Sequence, residues 1–353
     1  MIGRFFLYRS VNVLLVLAGL IVVFSLLSPN FAFTSPDNLR VFFALAPEFG
    51  IIALGVGMLM ICGEFDLSIG SILVFCSFVF VRLSEIKMSL PLAGLITFFT
   101  GAIFGLINGV ITVRGRIPSF ITTLGTMMLW RGTTLLLSLG IQKPFTAEAS
   151  PVFCSIFTGE INGILPAQIL WFIGVGIFLG VLLHFHKFGN WVYATGDNKE
   201  AARAMGINTD RVKIICFIIV GILCALVAIM QIIRVSSFSS RAGQGWELKA
   251  VAASVVGGTS LMGGIGSMMG IFCGTLIIVV IENALTMLRI PYSWTYVVFG
   301  LVIISSVLIN LYMERRKLKY GSLFFRVFEK VTPPSPGNSL NNPQKKSPTQ
   351  HRN

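Results

Sequence analysis

Charge is scarce in this 353-residue chain: 12% of its residues are Asp, Glu, Lys or Arg, against about 25% in an ordinary soluble domain. A water-soluble chain of this length needs far more polar surface, so a soluble enzyme is excluded. Histidine is scarcer still, at three, and the sequence assembles no Ser/His/Asp or Cys/His set for catalysis. His184 and His186 stand two apart, which on a helix points them in different directions, and no Cys or acidic third ligand is near. They read as interfacial polar groups. The six cysteines (62, 76, 154, 216, 224 and 273) have no C-x-x-C or zinc-like spacing. Five lie in apolar runs as small buried thiols, and only Cys154, in a polar stretch, could be exposed. No G-x-x-x-x-G-K-[S/T] occurs, so the chain cannot cradle ATP phosphates itself. Gly264-x-Gly266-x-x-x-Gly270 is only a near miss for dinucleotide binding, with neither a βαβ unit nor an acidic ribose partner.

Apolar residues are abundant: 55% of the chain is hydrophobic, mean hydropathy is +0.85, and there are 30 Phe and 36 Gly. That composition implies an all-α, polytopic transmembrane helix bundle, in which small residues let backbones approach. A crossing helix needs about 20 apolar residues. About ten spans are expected, at 11–27, 41–62, 67–81, 90–113, 120–139, 165–183, 214–233, 249–256 (running into a Gly-rich stretch), 266–288 and 292–312. The third and eighth are short enough to be tilted, broken or re-entrant. The first is long and lacks a small-x-small cleavage site, so it reads as a retained anchor. Residues 1–331 form one transmembrane domain, with a polar loop at 184–213. Residues 332–353, rich in Pro, Asn and Ser, form a disordered basic tail.

The net charge is +13, and more than half of that excess sits in residues 314–353, where nine Lys/Arg accompany two Glu. A nucleic-acid partner is therefore not implied; juxtamembrane basic residues contact anionic lipid and mark the cytoplasmic side. With the N-terminus inside, 18 of the 27 basic residues fall on inner segments, while Asp37, Glu85, Glu148, Glu160 and Glu247 fall outside. Both termini are thus expected in the cytoplasm. A weak repeat also appears: residues 101–118 align without gaps on 274–291, both ending in Arg-Ile-Pro. The glycines at 101, 105 and 109 are echoed at 266, 270 and 274, a period that gives close helix contact. Either an inverted repeat of the transporter kind or chance recurrence of small residues accounts for it.

The loop at 184–213 contains GDNKEAARAMGINTDRVK. Glu200 to Met205 are good helix formers, Asp197 or Asn198 is available as a cap, and Gly206 ends the run. A short polar helix on the inner face is expected, with Glu200 and Arg203 at its edge able to pair with partner charges. Glu200-Ala201-Ala202, three residues and Gly206 resemble the EAA-x3-G signature of permease subunits in bacterial ATP-binding-cassette importers. The context from Gly196-Asp197-Asn198 through Arg203 to Ile207 is similar to the branch with ribose-type and autoinducer-type sugar permeases. GEFDLSIGS at 63–71 resembles that branch's Gly-x-x-Asp-Leu-Ser-x-Gly-Ser element, with Glu64 where a second Gly is usual. Asn108-Gly109 with Ile117 to Gly125, and the run Gly257 to Ser267, extend the resemblance.

An acid at the bilayer centre costs about 2.5–3.5 kcal/mol, so Glu64 and Asp66 are expected to be interfacial, paired or functional. Asp66 could cap the next helix, with Ser68 and Ser71 satisfying freed backbone groups, and this structural role ranks ahead of solute contact. Asp66, Ser68, Ser71, Asn108, Thr123, Glu282 and Asn283 are the candidates for lining a translocation path, with Arg131 a further functional candidate. Trp130, Trp246 and Trp294 read as an interfacial belt before sugar platforms.

The resemblance implies a non-enzymatic permease of the bacterial inner membrane that carries a monosaccharide or related small solute by alternating access. It implies three kinds of partner: a cytoplasmic ATPase that binds ATP and Mg²⁺, a periplasmic solute-binding protein, and a second permease copy or paralogue. It makes Glu200, Ala201, Ala202, Arg203 and Gly206 the ATPase-coupling segment. The rival is an ion-coupled secondary transporter, which the repeat suits equally well.

Overall fold

The computed structural model describes residues 9–308 apart from 147–149, 162–164, 292, 303 and 306. The tail at 332–353, Glu148 and the end of the last expected span, 309–312, lie outside the described residues. The architecture is an α-helical bundle: α1 (Arg9–Leu27), α2 (Pro36–Ile61), α3 (Ile69–Glu85), α4 (Leu90–Gly115), α5 (Ser119–Ser138), α6 (Pro151–Thr158), α7 (Ala167–His184), α8 (Lys187–Asp197), α9 (Lys199–Ala204), α10 (Thr209–Val235), α11 (Trp246–Val256) and α12 (Met268–Met287). Ser293–Val302 is a further apolar helix. Among the described residues, α2, α4, α7, α10 and α12 are each long and apolar enough to cross a bilayer.

The third and eighth expected spans are the interrupted ones. α3 has 17 residues and follows a non-helical stretch at 62–68; α11 has 11 and runs into another at 257–267. The glycines of the second stretch keep it from continuing either helix. Its backbone groups find other partners: Ser260 N donates to the Ile265 carbonyl (2.9 Å), Thr259 N to Ser254 O (2.9 Å), and Tyr193 Oη to Gly266 O (2.8 Å). Irregular backbone at membrane depth is tolerated only under such cover.

α2 is the central helix. Ser35 caps it by accepting from Asn38 N, Pro36 fills the first turn, and every residue from Ala46 to Ile61 is buried. It packs on α7, α10, α11 and α12. α4 and α10 interlock through glycine, as the period-four stripe predicts: a Cβ at Gly105 would collide with the Phe217 carbonyl and lie 2.8 Å from Ile218 Cα. One at Gly109 would lie 2.9 Å from Ile214 Cα. The echoed stripe works likewise between α11 and α12, where Gly274 leaves no room for a Cβ beside Gly257 N (2.7 Å). Apolar side chains point outward on α1, α5 and α7, among them Leu26, Leu136 and Phe178. Such an outer surface suits lipid. This is a multi-pass membrane protein.

Two expectations change. Cys154 is buried on α6, because α6 folds that polar-looking stretch back onto α7 and α10. Trp130 does not join a belt: it stacks on Phe104 with centroids 4.2 Å apart. Trp246 meets Phe49 edge-on at 5.8 Å, which leaves Trp294 as the exposed one of the three. Far from α9, Lys143–Pro144 (β1) pairs antiparallel with Ser237–Phe238 (β4), and Glu160–Ile161 (β2) with Leu165–Pro166 (β3).

Candidate functional site

Two helices, rather than one, occupy the loop at 184–213. His186 caps α8 by accepting from Phe188 N through Nδ1 (3.1 Å), while His184 Nε2 accepts from Met268 N (3.3 Å). Both histidines thus serve the backbone. α9 is the short helix expected from EAARA. Of the two cap candidates, Asn198 does the capping, accepting from Ala201 N at 3.0 Å. At the other end Gly206 N donates to Arg203 O and Ile207 N to Ala202 O, a glycine C-cap with Gly206 at φ +83°. No atom lies within 4 Å of where a Gly206 Cβ would be, so its backbone angle, not crowding, calls for glycine.

The side chains of α9 are sorted by face. Ala202 is buried against the body of the protein, whereas Ala201 and Met205 are exposed. Glu200 is 83% exposed and lies 3.8 Å from Arg203. Arg203, 42% exposed, is engaged within the chain, donating to Thr209 Oγ1 (3.0 Å) and Asp210 Oδ1 (2.6 Å). Of the two edge charges, Glu200 is therefore the one turned outward, and Arg203 ties α9 to the start of α10.

Behind α9, three of the sequence motifs meet. Gly264 N donates to the Ile61 carbonyl at 2.8 Å, joining the Gly-rich stretch to the end of α2. Gly196, in the last turn of α8, sits against both: a Cβ there would strike the Ile61 carbonyl and lie 2.6 Å from Gly264 N. One at Gly263 would lie 2.8 Å from Gly63 Cα and 2.8 Å from Gly196 O; one at Gly264, 2.7 Å from Asp197 Cα. Backbone thus rests on backbone with no side chain between. Close-packed contacts of this kind have little compressibility. Glu64 adds a charged tie, pairing with Lys213 of α10; each side chain is 11% exposed.

The 62–68 stretch is held from its other side by polar groups. Asp66 is fully buried; its Oδ1 accepts from Ser68 N (2.8 Å) and Ser68 Oγ (2.6 Å), and its Oδ2 from Asn108 Nδ2 (3.3 Å). Asn108 also donates to Ser68 Oγ at 2.7 Å. Thr123 Oγ1 accepts from Leu67 N (3.1 Å), and Ser119 Oγ from Phe65 N (3.0 Å). Asp66 is not the helix cap expected of it: Ser68 holds the N-cap position of α3, and Asp66 folds the turn before it. Ser71 is also fully buried, but its Oγ makes no hydrogen bond among the described residues. These five candidates, Asp66, Ser68, Ser71, Asn108 and Thr123, are packed inside the protein around one loop.

Glu282 and Asn283 are elsewhere, near the far end of α12. Lys249 of α11 donates to Glu282 Oε1 at 2.6 Å, and Asn283 exchanges two amide hydrogen bonds with Asn38, both 3.1 Å. Arg131 braces the loop before α11, donating to Ser240 O (2.7 Å) and Ala242 O (3.3 Å). Sequence reasoning did not single out Lys213, Ser119, Tyr193, Lys249 or Asn38. Each acts across the fold on a residue far away in the chain, and only Ser119 lay inside a stretch carrying a resemblance.

Comparison with known proteins gives a consistent result. Residues 38–307 match the family described as branched-chain amino acid transport system / permease component. The ribose import permease protein of Haemophilus influenzae is 35% identical over 321 residues, covering 90% of this chain and 97% of that protein. The xylose/arabinose import permease protein of Sulfolobus acidocaldarius is 35% identical over 88% of this chain and 87% of its own. The autoinducer 2 import system permease protein of Salmonella typhi is 31% identical over 93% and 92%. No solved structure matches significantly.

Proposed function

Because this chain belongs to the branched-chain amino acid transport system / permease component family, we propose that it is the membrane-spanning subunit of a bacterial ATP-binding-cassette importer for a monosaccharide or closely related polyol. The observation that carries the reading is α9: a helix bearing Glu200-Ala201-Ala202 and Gly206, with Glu200 turned outward and its back joined through Gly196 to both interrupted helices. A cytoplasmic ATPase subunit docks on the exposed face of α9 and holds the ATP and Mg²⁺. Its closure on ATP shifts α8–α9. Gly196 and the Lys213–Glu64 pair pass the shift to the 62–68 and 257–267 stretches, and α3 and α11 change their tilt. The α9 end faces the cytoplasm together with both termini, a periplasmic binding protein delivers solute to the other end, and a second permease copy or a paralogue completes the path.

Sugar is favoured over amino acid because relatives covering most of the chain are named for ribose, xylose/arabinose and autoinducer 2 import, although the family's description names branched-chain amino acids. Uptake of labelled pentoses against labelled leucine, by the permease reconstituted with its ATPase and binding protein, separates the two. Glu200→Lys and Gly206→Pro should leave membrane insertion intact and abolish both ATPase co-purification and uptake. Retention of the ATPase by both variants would remove the docking role. Uphill pumping on a proton or sodium gradient by the permease alone would replace this reading with the secondary transporter.

A further inference from the structure

At the end of the bundle far from α9, the described parts of α2, α10, α11 and α12 border a cavity of about 390 Å³ that opens outward beside Val41, Leu45 and Thr286. That lies at the small end of the volumes that hold small-molecule ligands, about 300–1,000 Å³. Its walls carry four charges in two pairs. Arg234 grips Glu48 through two hydrogen bonds, Nε to Oε1 at 2.6 Å and Nη2 to Oε2 at 2.9 Å; Lys249 donates to Glu282 at 2.6 Å. The charges sum to zero. Arg234 has five N–H donors and spends two on Glu48, and Lys249 has three and spends one on Glu282. The Asn38–Asn283 amide pair, Gln231 and the Trp246 indole, fixed edge-on by Phe49, add to this polar side, and apolar side chains such as Phe42, Val279 and Met287 form the rest of the wall.

These walls discriminate by charge. An ion of either sign would bring a net charge into a cavity whose own charges are already neutralised, and pay its desolvation without a free counter-ion. A wholly apolar molecule would strip water from donors and acceptors and leave them unpaired. An uncharged molecule with a hydroxyl on nearly every carbon satisfies both demands, and the C–H face of its ring packs on the indole. We infer that this cavity is a resting site for an uncharged polyhydroxylated solute of about five or six carbons. The inference deepens the importer reading, on which it rests, by giving the solute a place within one permease chain.

Thiol protection tests it. The six native cysteines are buried, so a thiol introduced by Thr286→Cys, at an exposed position on the cavity wall, is the reactive one in the full-length permease in lipid nanodiscs. Its reaction with a small maleimide is timed with D-ribose, D-xylose or D-glucose, and with D-gluconate or protonated D-glucosamine. At least one neutral sugar should slow the reaction by about threefold or more at saturation, because occupied sites do not react. The two charged compounds should not. Glu282→Gln beside Thr286→Cys should lose the protection, judged against that variant's own rate without sugar. No protection by any neutral sugar, or equal protection by the charged compounds, overturns the site. ATP-driven uptake by the reconstituted importer is measured in parallel. Uptake without protection sinks the cavity alone, and protection without ATP-driven uptake sinks the importer reading alone.

Discussion

The Glu64–Lys213 pair allows a sharp test of how the α9 end is held together. Its two side chains come from the 62–68 stretch and the second turn of α10, and each is 11% exposed. Removing one partner of a buried pair leaves the other charge uncompensated, at a cost of about 3–5 kcal/mol; the residual water access here puts Glu64→Ala near the lower bound, about 3 kcal/mol. Removing both charges is a different matter, since a buried pair replaced by packed neutral groups is often close to neutral. Glu64→Ala with Lys213→Met should therefore recover most of the loss, and the double-mutant cycle with these two single variants should show strong coupling. The protein supplies its own reporter: six buried cysteines that a thiol-reactive dye meets only on unfolding. Thermal ramps of the four proteins in one detergent should show both single variants melting several degrees below the parent and the double variant between them and the parent. Additive losses in the double variant, or a Glu64→Ala curve that overlays the parent, would refute the pairing as an energetic tie.

Substitutions at four other positions probe separate contacts. Gly196→Ala forces a methyl group onto the Ile61 carbonyl and against Gly264 N at 2.6 Å, so about 1–3 kcal/mol of overpacking is expected, with uptake lost. Gly206→Ala, in open space at φ +83°, should cost only about 1–2 kcal/mol of backbone strain; equal effects of the two on uptake would contradict the contact argument. Thr123→Val strands the buried Leu67 N–H at a cost of about 1–3 kcal/mol, and Thr123→Ser should restore the melting temperature; a Ser variant as weak as Val would contradict the hydrogen bond. Gly105→Leu should stop α4 from seating on α10, read as aggregation on size-exclusion chromatography, and a monodisperse, stable variant would show that the interface adapts.

The α9 segment was the most legible part of the site, because a helix cap, an alanine face and a stop glycine are local features that follow from adjacent residues. The two interrupted spans were legible for a similar reason: a run of glycines and an acid between apolar runs cannot continue a buried helix unaided. The polar residues inside the bundle were only half legible. Their membrane cost marked Asp66, Asn108, Glu282 and Asn283 for attention, but one list merged two places. Asp66 and Asn108 hold a turn near α9, while Glu282 and Asn283 face Lys249 and Asn38 at the opposite end. Cys154 and Trp130 were misjudged for a related reason: a polar neighbourhood in sequence says little when a short helix or an aromatic neighbour folds over the side chain.

By itself the sequence determined that this protein lives in a membrane, that it is helical, where its helices are interrupted, and which segment between spans carries a short polar helix. These follow from hydrophobicity and local backbone chemistry, which act between near neighbours in the chain. Only the tertiary structure decided that Gly63, Gly196 and Gly263 touch, that Lys213 neutralises Glu64, and that two ion pairs and an amide pair surround one cavity. Those pairings join residues up to 245 positions apart. Which charge meets which is fixed by how helices pack, and a composition or a period carries no record of that.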